Sequence, residues 1–160
     1  MTINFDASEL ERALHNAANH LTHTAPLMED ISRALESETL LRFHFGGRPA
    51  WAGLSPLTIA RRRGGAGAIL QDTGDLKRSI KATHSNDTAT IGTNLVYAPT
   101  HQFGAKQGEF GRSDRNTPLP WGDIPARPFI PMDKNGDIDY DGFLTVSEIV
   151  NGYLVGAFGS

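Results

Sequence analysis

The sequence pattern with the most specific chemistry is a run of acidic residues near the end of the chain. Counted from Asp137, this pattern places Asp137, Asp139, Asp141 and Glu148 at positions 1, 3, 5 and 12, with Gly142 at position 6. The spacing is that of a calcium-binding EF-hand loop, in which carboxylate oxygens surround the cation and a glycine allows the sharp turn. The four acidic residues are therefore a candidate calcium site.

The residues that precede this pattern favour a different interpretation. An EF-hand needs a helix that leads into the loop, but residues 127–131 contain Pro128 and Pro131, which prevent one. In the second interpretation, residues 133–136 form a turn and the following acidic residues cap the last helix, because negative charge is favoured at a helix N-terminus. Both interpretations stay open, and the sequence predicts no other metal site and no cofactor.

The histidines do not form a recognisable catalytic pattern. There are six of them, and His20 and His23 lie where a helix is predicted to end, a position that favours a positive charge. The chain has no HExxH, GxSxG or GxxxxGK[ST] motif and no cysteine, which excludes thiolate zinc sites and a cysteine nucleophile. The sequence therefore predicts that the protein is not an enzyme.

The basic residues do not identify a nucleic-acid-binding protein. Arg61, Arg62 and Arg63 form the densest basic cluster, but the formal net charge of the chain is −3. Such a cluster either contacts phosphates, or forms a solvated helix face or a protein interface. The acidic residues elsewhere in the chain favour a solvated face or a protein interface over phosphate contact. We expect no sequence-specific binding to nucleic acid.

The overall composition is that of one soluble domain. The chain has 160 residues, of which 39% are hydrophobic, and this is enough to bury a core without disulfides or a metal. No apolar stretch approaches the length of about 20 residues that spans a bilayer, and the first ten residues do not resemble a secretory signal. We expect a single domain over residues 1–160, no membrane contact, and synthesis in the cytoplasm.

Hydrophobic periodicity predicts helices towards both ends of the chain. The first predicted helix is capped by Asp6 or Ser8, and the second begins after Thr24 and ends before Gly46. A short basic helix begins at Ser55-Pro56 and stops at Gly64-Gly65, after which the period of the pattern changes. The predicted helices are residues 6–20, 24–45, 55–63 and 145–158.

The middle of the chain predicts a small sheet. Residues 80–84 and 88–93 alternate in polarity around an Asn-Asp turn and predict a β-hairpin. Residues 95–102 predict a short helix or turn, and the proline-rich residues 124–131 predict an extended edge strand. The fold class is therefore α+β, with a small antiparallel β-sheet flanked by N-terminal helices and a C-terminal helix and a long central loop.

The long central loop, residues 104–125, is too rich in Gly and Pro to be a simple connector, and loops of this length in a small domain are functional or disordered. Several aromatic residues lie in or beside loops rather than on the periodic faces, which is typical of a docking surface. These aromatic residues are Trp51, Tyr97, Phe103, Phe110, Trp121 and Phe129.

Four short motifs in a fixed order carry a resemblance to a known family. They are Trp51-x-x-Leu54-Ser55-x-x-Thr58, Ile69-Leu70-x-x-Thr73-Gly74-x-Leu76-x-x-Ser79-Ile80, Tyr97-Ala98-x-x-His101-Gln102-x-Gly104, and Ile124-Pro125-Ala126-Arg127-Pro128-Phe129. Over roughly residues 5–155 the chain resembles the bacteriophage virion morphogenesis family, which includes tail completion proteins of Mu-like, contractile-tailed phages.

The resemblance implies a non-enzymatic structural protein that acts where the phage head meets the tail. It implies a tail-terminator-like fold and a homo-oligomeric ring, such as a hexamer, that contacts other tail and neck proteins. The protein is then expected in the tail or neck of the virion, and in the host cytoplasm during assembly. A capsid assembly factor that is absent from the finished virion is the alternative within this class.

Two sets of residues follow as candidate functional positions. The motif positions are expected to be mainly structural, and they are Trp51, Leu54, Thr58, Thr73, Gly74, Leu76, Tyr97, His101, Gln102, Gly104, Pro125, Arg127 and Pro128. The candidate oligomer interface comprises Phe103, Phe110, Arg112, Arg115, Trp121, Arg127 and Phe129. Arg127 is in both sets, since its guanidinium is expected to pair with a carboxylate either as an internal buttress or across the interface.

Overall fold

The computed structural model describes residues 8–63 and 67–158 and has the α+β architecture that the sequence predicts. Within these residues the chain forms six helices and one two-stranded antiparallel sheet. The elements are α1 (Ser8–Thr22), α2 (Ala25–Phe45), α3 (Pro56–Arg61), α4 (Asp75–Ser79), β1 (Lys81–His84), β2 (Ala89–Gly92), α5 (Ala98–Phe103) and α6 (Tyr140–Phe158). Asp6 and Gly64, predicted to bound two of the helices, lie outside the described residues.

The long helix α2 packs against α6 and the sheet. Its buried residues Leu27, Ile31 and Leu35 recur every four positions and so share one helix face. They contact apolar side chains of α6 and β2, which are Val146, Ile149, Val150, Tyr153, Ala89 and Ile91. This cluster is the first of two hydrophobic cores.

The predicted apolar face of α1 is only partly buried. Ala17 is buried, but Leu14 and Leu21 are 54% and 55% exposed, although α1 contacts α6. The contact with α6 therefore leaves these two leucines of α1 largely exposed in the single subunit.

The second core is aromatic and forms where α2 meets the loops. Phe43 contacts Trp51 edge to face with ring centroids 5.7 Å apart, and it contacts Phe129 at 5.5 Å. Leu76 of α4 and Ile80 complete the cluster together with Ala98. Two of the aromatic residues that the sequence assigned to a docking surface, Trp51 and Phe129, are thus core residues.

The β-hairpin confirms the prediction for residues 80–93. Lys81 pairs with Gly92 and His84 with Ala89 in an antiparallel register. The turn between the strands is held by Ser85, whose backbone N–H donates to Thr88 O at 2.8 Å. The second motif contains α4, a five-residue helix over Asp75–Ser79 that was not among the helices predicted from the sequence.

The last helix begins at Tyr140, five residues earlier than the predicted start at Thr145. Asp139 caps it, because the backbone N–H of Gly142 donates to the Asp139 carboxylate at 3.0 Å. A Cβ atom at Gly142 would lie 2.8 Å from Ile138 and 2.9 Å from Pro131, so glycine is required inside this helix by close packing. Since glycine is a poor helix former, it obscured the start of the helix in the sequence.

Residues 105–124 form an irregular hairpin, and we call them the 105–124 hairpin. Ala105 and Ile124 exchange backbone hydrogen bonds of 2.9 and 2.8 Å at its base, and Arg112 bridges to Pro118 near its tip. The segment 124–131 that follows is extended but does not join the sheet, so the predicted edge strand is replaced by one isolated bridge at its first residue.

Candidate interaction site

The 105–124 hairpin is held together by its own hydrogen bonds. Phe110 N donates to Leu119 O at 2.8 Å, and Leu119 N donates to Gly111 O at 2.9 Å. At the tip, Ser113 N donates to Thr117 O at 2.9 Å. These bonds make the segment an ordered hairpin rather than a loop without internal structure.

Large side chains on this hairpin face solvent. Phe110 is 57% exposed and Trp121 is 59% exposed, and both arginines of the tip, Arg112 and Arg115, are exposed. Phe103, at the end of α5, is 44% exposed. These five members of the predicted interface set are accessible to a partner.

The base of the hairpin is fixed by a close backbone approach and an ion pair. Gly104 has a φ of +78°, and a Cβ atom there would lie 2.8 Å from Ile124 O. Lys106 Nζ donates to Asp123 at 2.8 Å, and Gln107 N donates to the same carboxylate at 2.9 Å. The bond to Asp123 raises the pKa of Lys106, and the bond from Lys106 lowers the pKa of Asp123.

Gln102 connects α5 to the extended segment that follows the hairpin. Its buried carbonyl oxygen accepts hydrogen bonds from Phe129 N and Ile130 N, and its amide nitrogen donates to Ile130 O and Met132 O. All four distances lie between 2.9 and 3.1 Å. One side chain therefore replaces the strand partner that this segment lacks.

Arg127 stabilises the folded subunit through hydrogen bonds within its own chain. Its guanidinium donates to Ala52 O and Gly53 O, each at 2.9 Å, and the residue is 7% exposed. Burial lowers its pKa. The predicted carboxylate partner is thus replaced by two backbone carbonyls.

Two members of the predicted oligomer interface are buried in the folded subunit: Phe129 is a core residue, whereas Arg127 borders the groove described below. Phe129 is 1% exposed and packs on Phe43. The backbone carbonyl of Pro128, between them, accepts a hydrogen bond from Trp51 Nε1 at 3.0 Å. An aromatic residue in a proline-rich segment suggested exposure, whereas the extended backbone turns this side chain into the core.

A groove of about 700 Å³ lies between α3, the turn before α4, α5 and the base of the hairpin. Most motif positions that the sequence analysis considered mainly structural line it, and they are Leu54, Thr58, Thr73, Leu76, Tyr97, His101, Pro125 and Arg127. The groove is the point where the four motifs converge. This convergence was not predictable, because spacing along the chain does not indicate the distances between separate motifs.

His101 forms part of the groove wall. Its Nδ1 atom is buried and has no hydrogen-bond partner among the described residues, and its ring contacts Tyr97 edge to face. Burial lowers the pKa of the imidazole, and the positive charge of Arg127 lowers it further. The neutral imidazole is therefore the form that this site favours.

The rim of the groove carries exposed carboxylates. Asp72 lies 3.5 Å from the guanidinium of Arg62, and its side chain is 45% exposed. Asp75 accepts hydrogen bonds from Thr73 and Arg78, which lower its pKa. With Asp123 at the base of the hairpin, these carboxylates lie among cationic side chains, since Arg62 and Arg127 also line the groove.

The calcium interpretation of the acidic run does not fit the structure. Residues 140–148 are helical, so the carboxylates of Asp141 and Glu148 cannot wrap around one cation in a loop. Asp139 instead forms a bidentate ion pair with Arg42, at 2.7 and 3.0 Å. Among the described residues, no three acidic or histidine side chains form a group that could hold a metal ion.

Sequence reasoning missed Arg42, which is fully buried. Besides Asp139, it contacts Glu38 at 3.3 Å and Asp141 at 3.9 Å, so it ties α2 to the start of α6. A charged residue on an amphipathic helix is expected in solvent, and its main partner is 97 residues away in the chain. Only the surplus of carboxylates near the start of α6 hinted at a buried cation.

Comparison with known proteins agrees with the motifs. A family model described as the phage virion morphogenesis family matches residues 5–154. The chain is 38% identical over 134 residues to the Mu-like prophage FluMu G protein 2 of Haemophilus influenzae, covering 84% of this chain and 85% of that protein. It is 31% identical over 144 residues to the putative capsid assembly protein G of Escherichia phage Mu, covering 86% of each.

No solved structure shows significant similarity to the chain. None of the helices described above is both long and apolar enough to cross a membrane. The four motifs, the family model and the two Mu-type relatives lead to the same conclusion. The chain belongs to the phage virion morphogenesis family.

Proposed function

We propose that this morphogenesis protein completes the tail at its head-proximal end and prepares it for joining to the head. It acts there as a homo-oligomeric ring and is structural rather than enzymatic. Its partners are copies of itself and the neighbouring tail and neck proteins. It assembles in the host cytoplasm and stays in the tail or neck of the virion.

The observation that carries this proposal is the 105–124 hairpin with its exposed aromatic and basic side chains. A ring requires a heterologous contact, in which one surface of each subunit binds a different surface of the next. Phe110 and Trp121 supply the large, rigid side chains that dominate protein interfaces. Because internal hydrogen bonds already order the hairpin, binding costs less conformational entropy than ordering a free loop.

A second function has one specific observation in its favour. The relative from Escherichia phage Mu is described as a putative capsid assembly protein. On that basis the chain assists capsid assembly and is absent from the finished particle. The exposed hairpin would then bind a partner only transiently.

Mass spectrometry of purified particles separates the two functions. The tail-completion role predicts peptides of this chain in intact virions and in isolated tails, at a constant ratio to the tail proteins. A capsid assembly factor predicts the chain in the infected-cell lysate and its absence from both particles. Absence from virions and tails contradicts the tail-completion role.

A further inference from the structure

We propose that the groove is a binding site for a carboxylate carried on an apolar group, and that Arg127 receives the charge of this carboxylate. The carboxylate belongs to an acidic side chain of a partner protein, with an apolar side chain beside it. This choice of source rests on the proposed function, in which the neighbouring tail and neck proteins are partners of the subunit. The carboxylate site itself rests on the surroundings of Arg127.

Arg127 is a buried cation without a carboxylate partner. The residue is 7% exposed, and its guanidinium donates only to two neutral acceptors, Ala52 O and Gly53 O. Among the residues that the structure describes, no Asp or Glu side chain forms an ion pair with it. Removing a charge from water is costly unless an opposite charge balances it. A carboxylate from another molecule would therefore stabilise this guanidinium.

One nitrogen of the Arg127 guanidinium is open to the groove. Its Nε and Nη2 atoms donate to the two carbonyls, which leaves Nη1 without a hydrogen bond to any described residue. His101 Nδ1 is the only side-chain nitrogen or oxygen atom of the described residues that is both buried and unpaired, so Nη1 is accessible. Arg127 lines the groove, and Nη1 is therefore a donor that a carboxylate can reach from there.

The carboxylates at the groove do not balance the charge of Arg127. Each of them is already paired with a different cation, and the pairs are Asp72 with Arg62, Asp75 with Arg78, and Asp123 with Lys106, at 3.5, 2.5 and 2.8 Å. The positive charge of Arg127 also lowers the pKa of His101 on the groove wall. The groove therefore carries one positive charge in excess, and its complementary ligand is an anion.

The walls of the groove are suited to an apolar group beside the anion. The apolar lining residues are Leu54, Leu70, Leu76, Tyr97, Ile124 and Pro125. The volume of about 700 Å³ lies within the range of ligand sites in proteins. A bare inorganic anion would leave this apolar surface in contact with water, whereas a carboxylate on an apolar group covers it.

A carboxylate built into the chain tests the site. Gly53 lines the groove beside Arg127, and a Cβ atom there meets nothing within 4 Å, so Gly53→Glu places a carboxylate near the guanidinium without a steric clash. Gly53→Gln is the matched neutral variant. We expect the Tm of Gly53→Glu to exceed that of Gly53→Gln by at least about 2 °C. Gly122 has equal room for a Cβ atom but lies outside the groove, so Gly122→Glu and Gly122→Gln should have equal Tm values.

A small carboxylate tests the same site in the natural protein. Sodium hexanoate is the probe, and hexanamide at equal ionic strength is its neutral counterpart. A ligand that binds only the folded state raises the Tm, so hexanoate should raise it and hexanamide should not. Gly53→Glu should respond to neither compound, because its own carboxylate already contacts Arg127.

Incorporation into particles tests the source of the carboxylate. The new side chain of Gly53→Glu competes with the acidic side chain of a partner protein. Quantitative mass spectrometry should therefore find at least about tenfold less of the Gly53→Glu chain than of the Gly53→Gln chain in purified tails.

The outcomes separate this inference from the proposed function. Equal Tm values for Gly53→Glu and Gly53→Gln, or equal responses to the two compounds, overturn the carboxylate site. A higher Tm of Gly53→Glu together with normal incorporation overturns the partner protein as the source. Absence of the natural chain from virions and tails overturns tail completion, whereas the comparison of Tm values on purified protein still tests the carboxylate site.

Discussion

At the residue scale, single side chains hold the extended segment after the hairpin in place. Gln102 bonds the backbone of residues 129–132, Arg127 bonds the backbone of residues 52–53, and Trp51 bonds Pro128. These side chains supply the hydrogen bonds that a strand partner would otherwise provide. The segment between the hairpin and α6 is therefore fixed by these side chains together with isolated backbone bonds, such as that from Arg127 N to His101 O at 2.7 Å, and not by a sheet.

The amide of Gln102 provides the first prediction. Gln102→Glu replaces a donor with an acceptor that faces the carbonyls of Ile130 and Met132, leaving buried polar atoms unsatisfied. We expect the free energy of unfolding to fall by about 2–4 kcal/mol in urea denaturation at neutral pH. Gln107→Glu, on the exposed hairpin, should cost less than about 1 kcal/mol. Equal losses in the two variants would contradict the role assigned to Gln102.

His101 provides a prediction about pH. Its pKa is lowered by burial and by Arg127, so below its unfolded pKa of about 6.5 the unfolded chain binds more protons than the folded chain. Stability must then fall as the pH drops through this range towards the lower folded pKa. Calorimetry from pH 7.5 to about pH 5 should show a smaller fall in Tm for His101→Phe than for the natural protein. The exposed His84→Gln control should retain the natural slope, and an unchanged slope in His101→Phe would argue against this account.

Residue types were predictable from the sequence, but their partners were not. The sequence singled out Arg127 and Gln102 through the motifs, yet Arg127 bonds carbonyls 74 and 75 residues away. The spacing of residues along the chain does not predict hydrogen bonds between distant residues, because these bonds depend on how separate elements pack. For the same reason, Phe129 was assigned to the surface although it belongs to the core.

At the element scale, the base of the 105–124 hairpin depends on Gly104. A Cβ atom there would lie 2.8 Å from Ile124 O and 2.9 Å from Ala126 N, and the φ of +78° is itself unfavourable for alanine. Gly104→Ala should reduce the free energy of unfolding by about 3 kcal/mol or more.

The control is Gly111→Ala, where φ is +87° but a Cβ atom meets nothing within 4 Å. Gly111→Ala should lower the free energy of unfolding only by the backbone strain, which is about 1–2 kcal/mol. Chemical denaturation of both variants isolates the effect of the steric clash, and a Gly104→Ala variant no less stable than Gly111→Ala would contradict the described base.

The contact between α2 and α6 depends on Arg42. Arg42→Met leaves the carboxylates of Glu38 and Asp139 without their cation at a largely buried position. Removing one partner of such a pair lowers the free energy of unfolding by about 3–5 kcal/mol. Arg33→Met removes the exposed pair with Glu29 and should cost about 0–1 kcal/mol. Comparable melting temperatures for the two variants would contradict this assignment.

Elements with a regular period were predictable, and irregular ones were not. The helices α1 and α2 and the β-hairpin follow from hydrophobic period and turn residues. The start of α6 was missed because Gly142 interrupts the helical pattern. The 105–124 hairpin was missed because its Gly- and Pro-rich segments, joined by isolated bridges, have no alternating polarity. Hydrogen bonds between irregular segments do not require a periodic pattern of residue types, so the sequence does not predict them.

At the scale of the whole molecule, the sequence identified the family but not the surfaces that meet during assembly. The four motifs were recognisable in order, but only the fold shows that most of their positions line one groove. Conversely, the aromatic residues in or beside loops were recognised as candidates, and the fold makes Trp51 and Phe129 core residues while Phe110 and Trp121 stay exposed. Assembly surfaces are properties of the folded surface, which no local pattern describes.

The exposed Phe110 provides the prediction at this scale. Phe110→Ser removes a large apolar side chain from the hairpin without disturbing the core, so we expect an unchanged Tm and at least a tenfold loss of incorporation into particles. Phe45→Ser changes an equally exposed phenylalanine at the end of α2, 58% exposed, and should leave incorporation unchanged. Quantitative mass spectrometry of purified particles provides the comparison. Normal incorporation of the Phe110→Ser chain would argue against the hairpin as an assembly surface.

Electron cryomicroscopy of the head-proximal end of purified tails tests the central claim most directly. We predict a closed ring of this chain in which the 105–124 hairpin of each subunit contacts the next subunit. A tail end without this chain, or a ring whose subunits meet through other surfaces while the hairpin stays free, would contradict the account.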